Sequence, residues 1–306
     1  MTRPPHCYTP PLRDGVAASC VALPEGPWPL LLDFLVQRFA AVAPALWRAR
    51  LAQGLVLDEQ GAALSIDAPY RAQARIYYYR ERGDEARIPF EEAVLFQDEH
   101  LVVADKPHFL PVTPTGRFVQ ETLLVRLKRK LGLAQLSPIH RIDRETAGLV
   151  LFCVRPRDRG AYHALFRQRS VTKEYEAIAP WREDLPLPAV YRSRIEPDTR
   201  FFRQREVAGQ PNSETQIELL QTQGALARWR LTPFTGKTHQ LRVHMNALGR
   251  PIVGDLLYPQ VVHGPGHTDD DDYRHPLRLL ARAIAFTDPL TGQARHFETG
   301  QQLNWP

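Results

Sequence analysis

The sequence predicts an α+β fold: a mixed, largely antiparallel sheet with helices packed on it, preceded by a small αα-βββ unit. Three observations carry that expectation. Short β-type runs recur at Val94 to Phe96, Leu101 to Ala104, Gly148 to Val154, Glu174 to Ala179, Thr215 to Leu220, Arg228 to Leu231 and Leu279 to Phe286. Leu31, Phe34, Leu35, Arg38 and Phe39 instead repeat at helical period. A chain of 306 residues also exceeds what one core usually holds, so a main domain of about 200 residues with an accessory piece is the natural division.

Residues 1–27 are rich in proline and small residues and lack periodicity, which reads as an extended N-terminal arm. The helix from Leu30 is followed by a second that begins at Pro44, a residue welcome in a first helical turn, and stops at Gly54. Leu55, Val56 and Leu57 begin a strand, Glu59-Gln60-Gly61 turns, another short strand follows, and ARIYYYR completes the unit. The polar link RERGDEARIP ends at Pro89, where the boundary is placed. Beyond it the first two β runs read as a hairpin through Gln97 to His100. A helix from about Gln120 to Leu131 is closed by Gly132, with Arg126, Lys128, Arg129 and Lys130 on its outer side. Thr235-Gly236 is read as a turn feeding a strand or helix start.

Apolar runs are too short and interrupted to span a bilayer, so no membrane role is expected. No charged start with an apolar stretch and a small-residue cleavage site stands at the N-terminus, and Cys7, Cys20 and Cys153 form neither a paired framework nor a zinc spacing. A cytoplasmic protein is expected. The formal net charge is +5, carried almost wholly by arginine, since the only lysines are Lys106, Lys128, Lys130, Lys173 and Lys237. Arginine forks pair with phosphate and stack on bases, although an arginine-rich genome would give the same composition.

Two segments concentrate chemistry. HRIDRETAGLVLF, from His140, places Asp143 between Arg141 and Arg144 just before a tight turn into an apolar strand. Two guanidinium groups favour the ionised carboxylate, and the strand behind keeps it rigid. A loop aspartate flanked by arginines is equally the composition of an exposed ion pair. LTPFTGKTHQLRVH, from Leu231, gathers Lys237, His239, Arg242 and His244, and folding Arg242 onto Asp143 would clamp an anionic nucleophile with a cation. The histidine spacing does not match a metal-binding H-E-x-x-H helix.

Four motifs in order resemble the RluA-type pseudouridine synthases across about residues 91–300. DEHLVVADKPHFLPV resembles the family's opening strand pair with its Lys-Pro turn, and HRIDRETAGL its H-R-L-D-x-x-T-S-G-L signature. KEYEAI resembles K-x-Y-x-A, and FTGKTHQLRVHMNALGRPIVGDLLY resembles T-G-R-x-H-Q-I-R-V-H followed by G-x-P-I-x-G-D-x-x-Y. The resemblance implies the pseudouridine synthase fold over residues 89–306 and an isomerase acting on uridines of ribosomal or transfer RNA without a cofactor. Asp143 would be the nucleophile, Tyr175 the aromatic residue against the base and Arg242 the partner of Asp143, while Arg141, His140, Lys173, Lys237 and His239 would contact RNA. Ala147, Lys237, Thr113 and Leu280 depart from the family's usual residues and bear on the shape of the RNA surface.

WRARLAQGLV, within residues 28–88, is similar to the core W-x-x-R-I-x-x-G-x-V of the small RNA-binding domain first described in ribosomal protein S four. A helical hairpin that only packs on a larger domain fits the same residues. The expected partner is RNA, with the chain a monomer holding no metal. His263, His267 and Asp269 to Asp272 in the insertion VVHGPGHTDDDDYRHP could ligate a metal or form an acidic surface loop. A non-catalytic RNA-binding protein on the same fold, or a hydrolase using Asp143 with His140 or His239, remains open at this level.

Overall fold

The computed structural model describes residues 8–80, 85–185, 187–199, 203–262 and 272–306. Two compact units emerge, one drawn from Met1–Ala86, Thr115–Gln120 and Val125–Ala134, the other from Arg87–Pro114, Glu121–Leu124 and Gln135–Pro306.

The smaller unit holds β1 (Ser19–Ala22), α1 (Leu31–Arg38), α2 (Pro44–Ala52), β2 (Val56–Leu57) and β3 (Arg75–Tyr78). Asp33 in the first turn of α1 accepts the Leu30 amide at 3.2 Å, satisfying one of the N–H groups a helix start leaves unpaired. Gly54, at φ +65°, ends the second helix, and the Leu55 amide turns back to Arg50 O at 2.8 Å. Phe34, Leu35, Leu51 and Ile76 close around Trp47, which is fully buried. Burying each side chain of this size contributes about 1.5–3 kcal/mol.

Two expectations shift here. The three-stranded sheet has the order β1-β3-β2, so residues 19–22, expected within an extended arm, pair as a strand with residues 75–78. The short strand expected after Gly61 is reduced to a bridge between Leu57 and Ala63. Asp58 accepts the Gln60 and Ala62 amides through its side chain, and that local turn takes the donors a ladder would have needed.

The larger unit is built on β4 (Ala93–Gln97), β5 (Leu101–Lys106), β6 (Ser137–Pro138), β7 (Ala147–Cys153), β8 (Val171–Pro180), β9 (Val190–Pro197), β10 (Gln204–Val207), β11 (Ser213–Gln223), β12 (Leu226–Pro233), β13 (Leu279–Thr287) and β14 (Ala294–Glu298). They form one eleven-stranded sheet in the order β10-β9-β11-β12-β8-β13-β7-β5-β4, with β14 beside β13 and β6 beside β7. Among the described residues every pairing is antiparallel except β13 with β7. That is the mixed, largely antiparallel sheet the sequence predicts. The run AGLVLFC of β7 is buried throughout, as a strand covered on both faces must be, whereas LARWRLTP of β12 alternates and turns Ala227, Trp229 and Leu231 inward.

Helix α3 (Leu123–Leu131) starts three residues later than expected. Its leading amides, Leu123 and Leu124, donate to Pro111 O and Val112 O, while the Glu85 carboxylate takes the Val119 and Gln120 amides. Helix α4 (Arg159–Arg167) sends Tyr162 into the core against β7 and β13. Helix α5 (Gln240–Ala247) lies against β9, β10 and β11 and carries the second chemistry-bearing segment.

Candidate active site

The loop from His140 to Thr146 delivers Asp143 at the entrance to β7. The Thr146 amide donates to Asp143 O at 3.2 Å, closing a turn that leaves the Asp143 side chain one-quarter exposed. Behind the turn, Gly148 sits at φ +105°, and a Cβ there would lie 2.3 Å from Ala281 O on β13. Only glycine admits that approach, so the parallel contact that backs the loop is written into this position.

A second turn, residues 106–109, latches the loop from below. The Lys106 ammonium donates to Pro107 O at 2.8 Å and Arg144 O at 2.9 Å, His108 Nδ1 donates to Glu145 O at 2.6 Å, and Arg144 Nε donates to Phe109 O at 3.1 Å. Lys106 is fully buried, and burial pulls its pKa down from 10.5 to about 7, against the opposing charges of Glu145 and Asp143. Burial likewise lowers His108 to about 4, consistent with a neutral ring donating through Nδ1.

Arg242 reaches Asp143 from α5, its Nη1 donating to Oδ2 at 3.0 Å. Its other edge is already taken: Nε and Nη2 grip Asp255 Oδ2 and Oδ1 at 2.8 and 2.7 Å. Burial opposes the charge on Arg242, but the bonds and charge of Asp255, joined by Asp143, raise its pKa above the usual arginine value, so the guanidinium stays ionised. The Tyr258 ring faces the same guanidinium at 5.5 Å. His239, in a left-handed conformation at the start of α5, has Nε2 3.8 Å from Asp143 Oδ2 and Nδ1 3.2 Å from the Tyr258 hydroxyl. Burial depresses its pKa, with Asp143 opposing the shift.

Tyr175 stands on the central strand β8, in register with Leu231 of β12 and Ala281 of β13. Burial, and then the charge of Asp143, raises its pKa, so the phenol keeps its proton. A carboxylate, a cation on one of its oxygens and a protonated aromatic ring therefore converge.

The profile of the RNA pseudouridylate synthase family matches residues 100–247. An uncharacterised RNA pseudouridine synthase of Synechocystis is 31% identical over 241 residues, covering 77% of this chain and 80% of that one. The dual-specificity RNA pseudouridine synthase RluA of Haemophilus influenzae is 31% identical over 220 residues, covering 67% of this chain and 90% of its own length. This chain belongs to the RluA-type RNA pseudouridine synthases. Among solved structures, human RNA pseudouridylate synthase domain containing 4 superposes with a TM-score of 0.51 at 28% identity, over 68% of this synthase and 88% of that chain.

The residues expected to contact RNA divide. In the synthase Arg141 and Lys237 are exposed, and Lys173 donates to Thr235 O at 3.2 Å with its pKa lowered by burial, then by Arg169, to about 8. His140 is partly buried. Its Nε2 accepts the Leu151 amide at 3.1 Å, its ring stacks on Phe166 at 4.9 Å, and burial pushes its pKa down to about 3. It is a neutral ring whose Nε2 ties the loop to β7.

Lys106, Asp255 and Tyr258 were given no role by the sequence reading. All three lie in the quoted motifs, at the Lys-Pro turn and in G-D-x-x-Y, and that was the available signal. His263, His267 and Asp269 to Asp271 of the metal question lie outside the described residues. Among the described residues no group of three or more His, Cys, Asp or Glu could hold a metal ion, and no helix is long and apolar enough to cross a membrane.

Proposed function

We propose that this synthase isomerises uridines in structured RNA, ribosomal or transfer, with Asp143 as nucleophile, Arg242 as its partner and Tyr175 against the base. The observation that carries the reading is the 3.0 Å charge-assisted bond from Arg242 Nη1 to Asp143 Oδ2 on a carboxylate that remains one-quarter exposed. The reaction breaks the bond between ribose C1′ and N1 of uracil, turns the base and joins C1′ to C5; the C5 proton is lost and N1 gains one. No redox change or group donor is needed. A carboxylate meets the requirement either by trapping C1′ as the base leaves or by removing a sugar proton. The target nucleotide must first leave its stack, at a cost of a few kcal/mol that a loop or an imperfect helix reduces.

Arg141, beside the nucleophile and exposed, is assigned to the adjacent phosphate or to the gap left by the extruded base; Lys173, Lys237 and His239 line the same reading as RNA contacts. Residues 28–88, with their own core around Trp47, are read as an accessory RNA-binding-like domain and residues 89–306 as the catalytic domain. The reading includes a metal-independent monomer in the cytoplasm, the compartment supported by the buried free thiol of Cys153.

The test is Asp143→Asn and Asp143→Ala on in vitro transcribed RNA, scored by the carbodiimide-stable adduct that marks pseudouridine. Both variants are expected to fold and bind RNA yet form none. Full turnover by either removes Asp143 from the role.

A further inference from the structure

Phe109, in the turn that latches the nucleophile loop, has a backbone that does not suit its side chain. It sits at φ +66°, the left-handed region that any residue with a Cβ enters at a cost and a bulky one rarely enters. We propose that Phe90 and Tyr273 hold Phe109 in that conformation, which makes Phe109 and Tyr273 positioning residues for the nucleophile loop; the inference rests on Asp143 being the nucleophile.

The left-handed peptide has a use. Phe109 O accepts Arg144 Nε at 3.1 Å, on the residue next to Asp143. The same turn reaches the loop twice more, through Lys106 Nζ to Arg144 O at 2.9 Å and His108 Nδ1 to Glu145 O at 2.6 Å. A change of φ at Phe109 would swing its carbonyl off Arg144 and loosen the side chain that adjoins the nucleophile. Asp143 stands on a loop, not on a helix or strand, so its direction depends on such ties.

The rings supply the compensation. Phe109 stacks on Phe90 with centroids 5.9 Å apart and planes at 27°, and meets Tyr273 edge to face at 5.2 Å. Tyr273 closes the triangle against Phe90 at 5.4 Å and 86°. Within it Phe109 is 6% exposed, whereas Phe90 and Tyr273 are half-buried. The backbone sets where a Cβ points, so the Phe109 ring reaches this seat only while φ is positive. Relaxing to the ordinary region would withdraw it from two aromatic partners, and the gain from such pairs is comparable in size to the cost of the left-handed form. Tyr273 is brought by the insertion VVHGPGHTDDDDYRHP, so the device belongs to this chain's own sequence.

Phe109→Gly and Phe109→Ala separate this role from packing. Both lose the ring, but glycine takes a positive φ freely and alanine does not. On in vitro transcribed RNA, kcat is expected to stay within about threefold of wild type in Phe109→Gly and to fall by on the order of 10-fold in Phe109→Ala, the KM for RNA changing less than about threefold in both. Packing alone gives the reverse order, because glycine leaves the larger hole. Tyr273→Ala is expected to lose rate as Phe109→Ala does, Tyr273→Phe to keep it, and Tyr273→Ala added to Phe109→Gly to cost nothing further. Phe109→Gly no more active than Phe109→Ala, a loss confined to KM, or a further loss from Tyr273→Ala in the Phe109→Gly background overturns the proposal. Should a Phe109 variant not fold, Tyr273→Ala against Tyr273→Phe decides, and equal kcat in those two also overturns it. Asp143→Asn is run alongside: activity in that variant sinks the nucleophile assignment itself, whereas an inactive Asp143→Asn beside a fully active Phe109→Ala sinks only the positioning role.

Discussion

Replacing Lys106 by methionine should change how stability depends on pH, and the size follows from the burial of one ammonium group. Lys106 is 0% exposed, and its pKa falls from 10.5 to about 7, chiefly by desolvation, with Glu145 and Asp143 working against the fall. Between those values the unfolded chain binds one proton more than the folded protein, so stability rises with pH at about 1.4 kcal/mol per unit. The penalty is complete below about pH 7 and gone above the unfolded value; it sums to on the order of 4–5 kcal/mol, of which about 2 kcal/mol falls between pH 7.5 and 9. Lys106→Met cannot titrate, although it leaves Pro107 O and Arg144 O without their donor. Its stability at any single pH is therefore a sum of opposing effects, but the slope is not. Urea unfolding of both proteins at half-unit steps from pH 7.5 to 9 should show the wild type gaining about 2 kcal/mol on the variant. Parallel curves would mean that the ammonium is not desolvated and that the latch beneath the nucleophile loop is wrongly drawn.

Arg242→Gln strands the buried Asp255 carboxylate, so it should lower stability by about 3–5 kcal/mol and the melting temperature by roughly 6–20 °C, with adding Asp255→Asn restoring part of the loss; an unchanged melting curve contradicts this. Gly148→Ala puts a methyl group 2.3 Å from Ala281 O and should cost about 3 kcal/mol in thermal melts, along with activity; a variant as stable as the wild type would show that β7 and β13 do not approach as described. EDTA should leave the rate of pseudouridine formation unchanged, and a reproducible loss restored by one ion would reverse the metal-independent reading.

Much of the fold was legible because it depends on periodicity. Gly148 to Val154 and Arg228 to Leu231, read as β-type runs, fall on β7, which is buried throughout, and on β12, which turns alternate residues inward. Gly54 and Pro44 punctuate the helical hairpin where their backbone preferences dictate. Strand β1 was missed because Ser19–Ala22 is short and its partner β3 lies more than fifty residues away. A four-residue run carries no period worth reading until an edge is there to receive it.

The site divides along the same line. Composition and order in the chain determined that an aspartate, a tyrosine and an arginine stand in motifs shared with RluA-type synthases, since covalent sequence alone sets which chemistry is present. Only the tertiary structure decided how that chemistry is apportioned. It turned His140 inward onto a strand amide, brought Arg242 across ninety-nine residues to Asp143, and gave the other edge of its guanidinium to Asp255. The physical reason is that a hydrogen bond depends on distance and direction in space, and one donor edge serves one acceptor; neither can be read from positions along a chain.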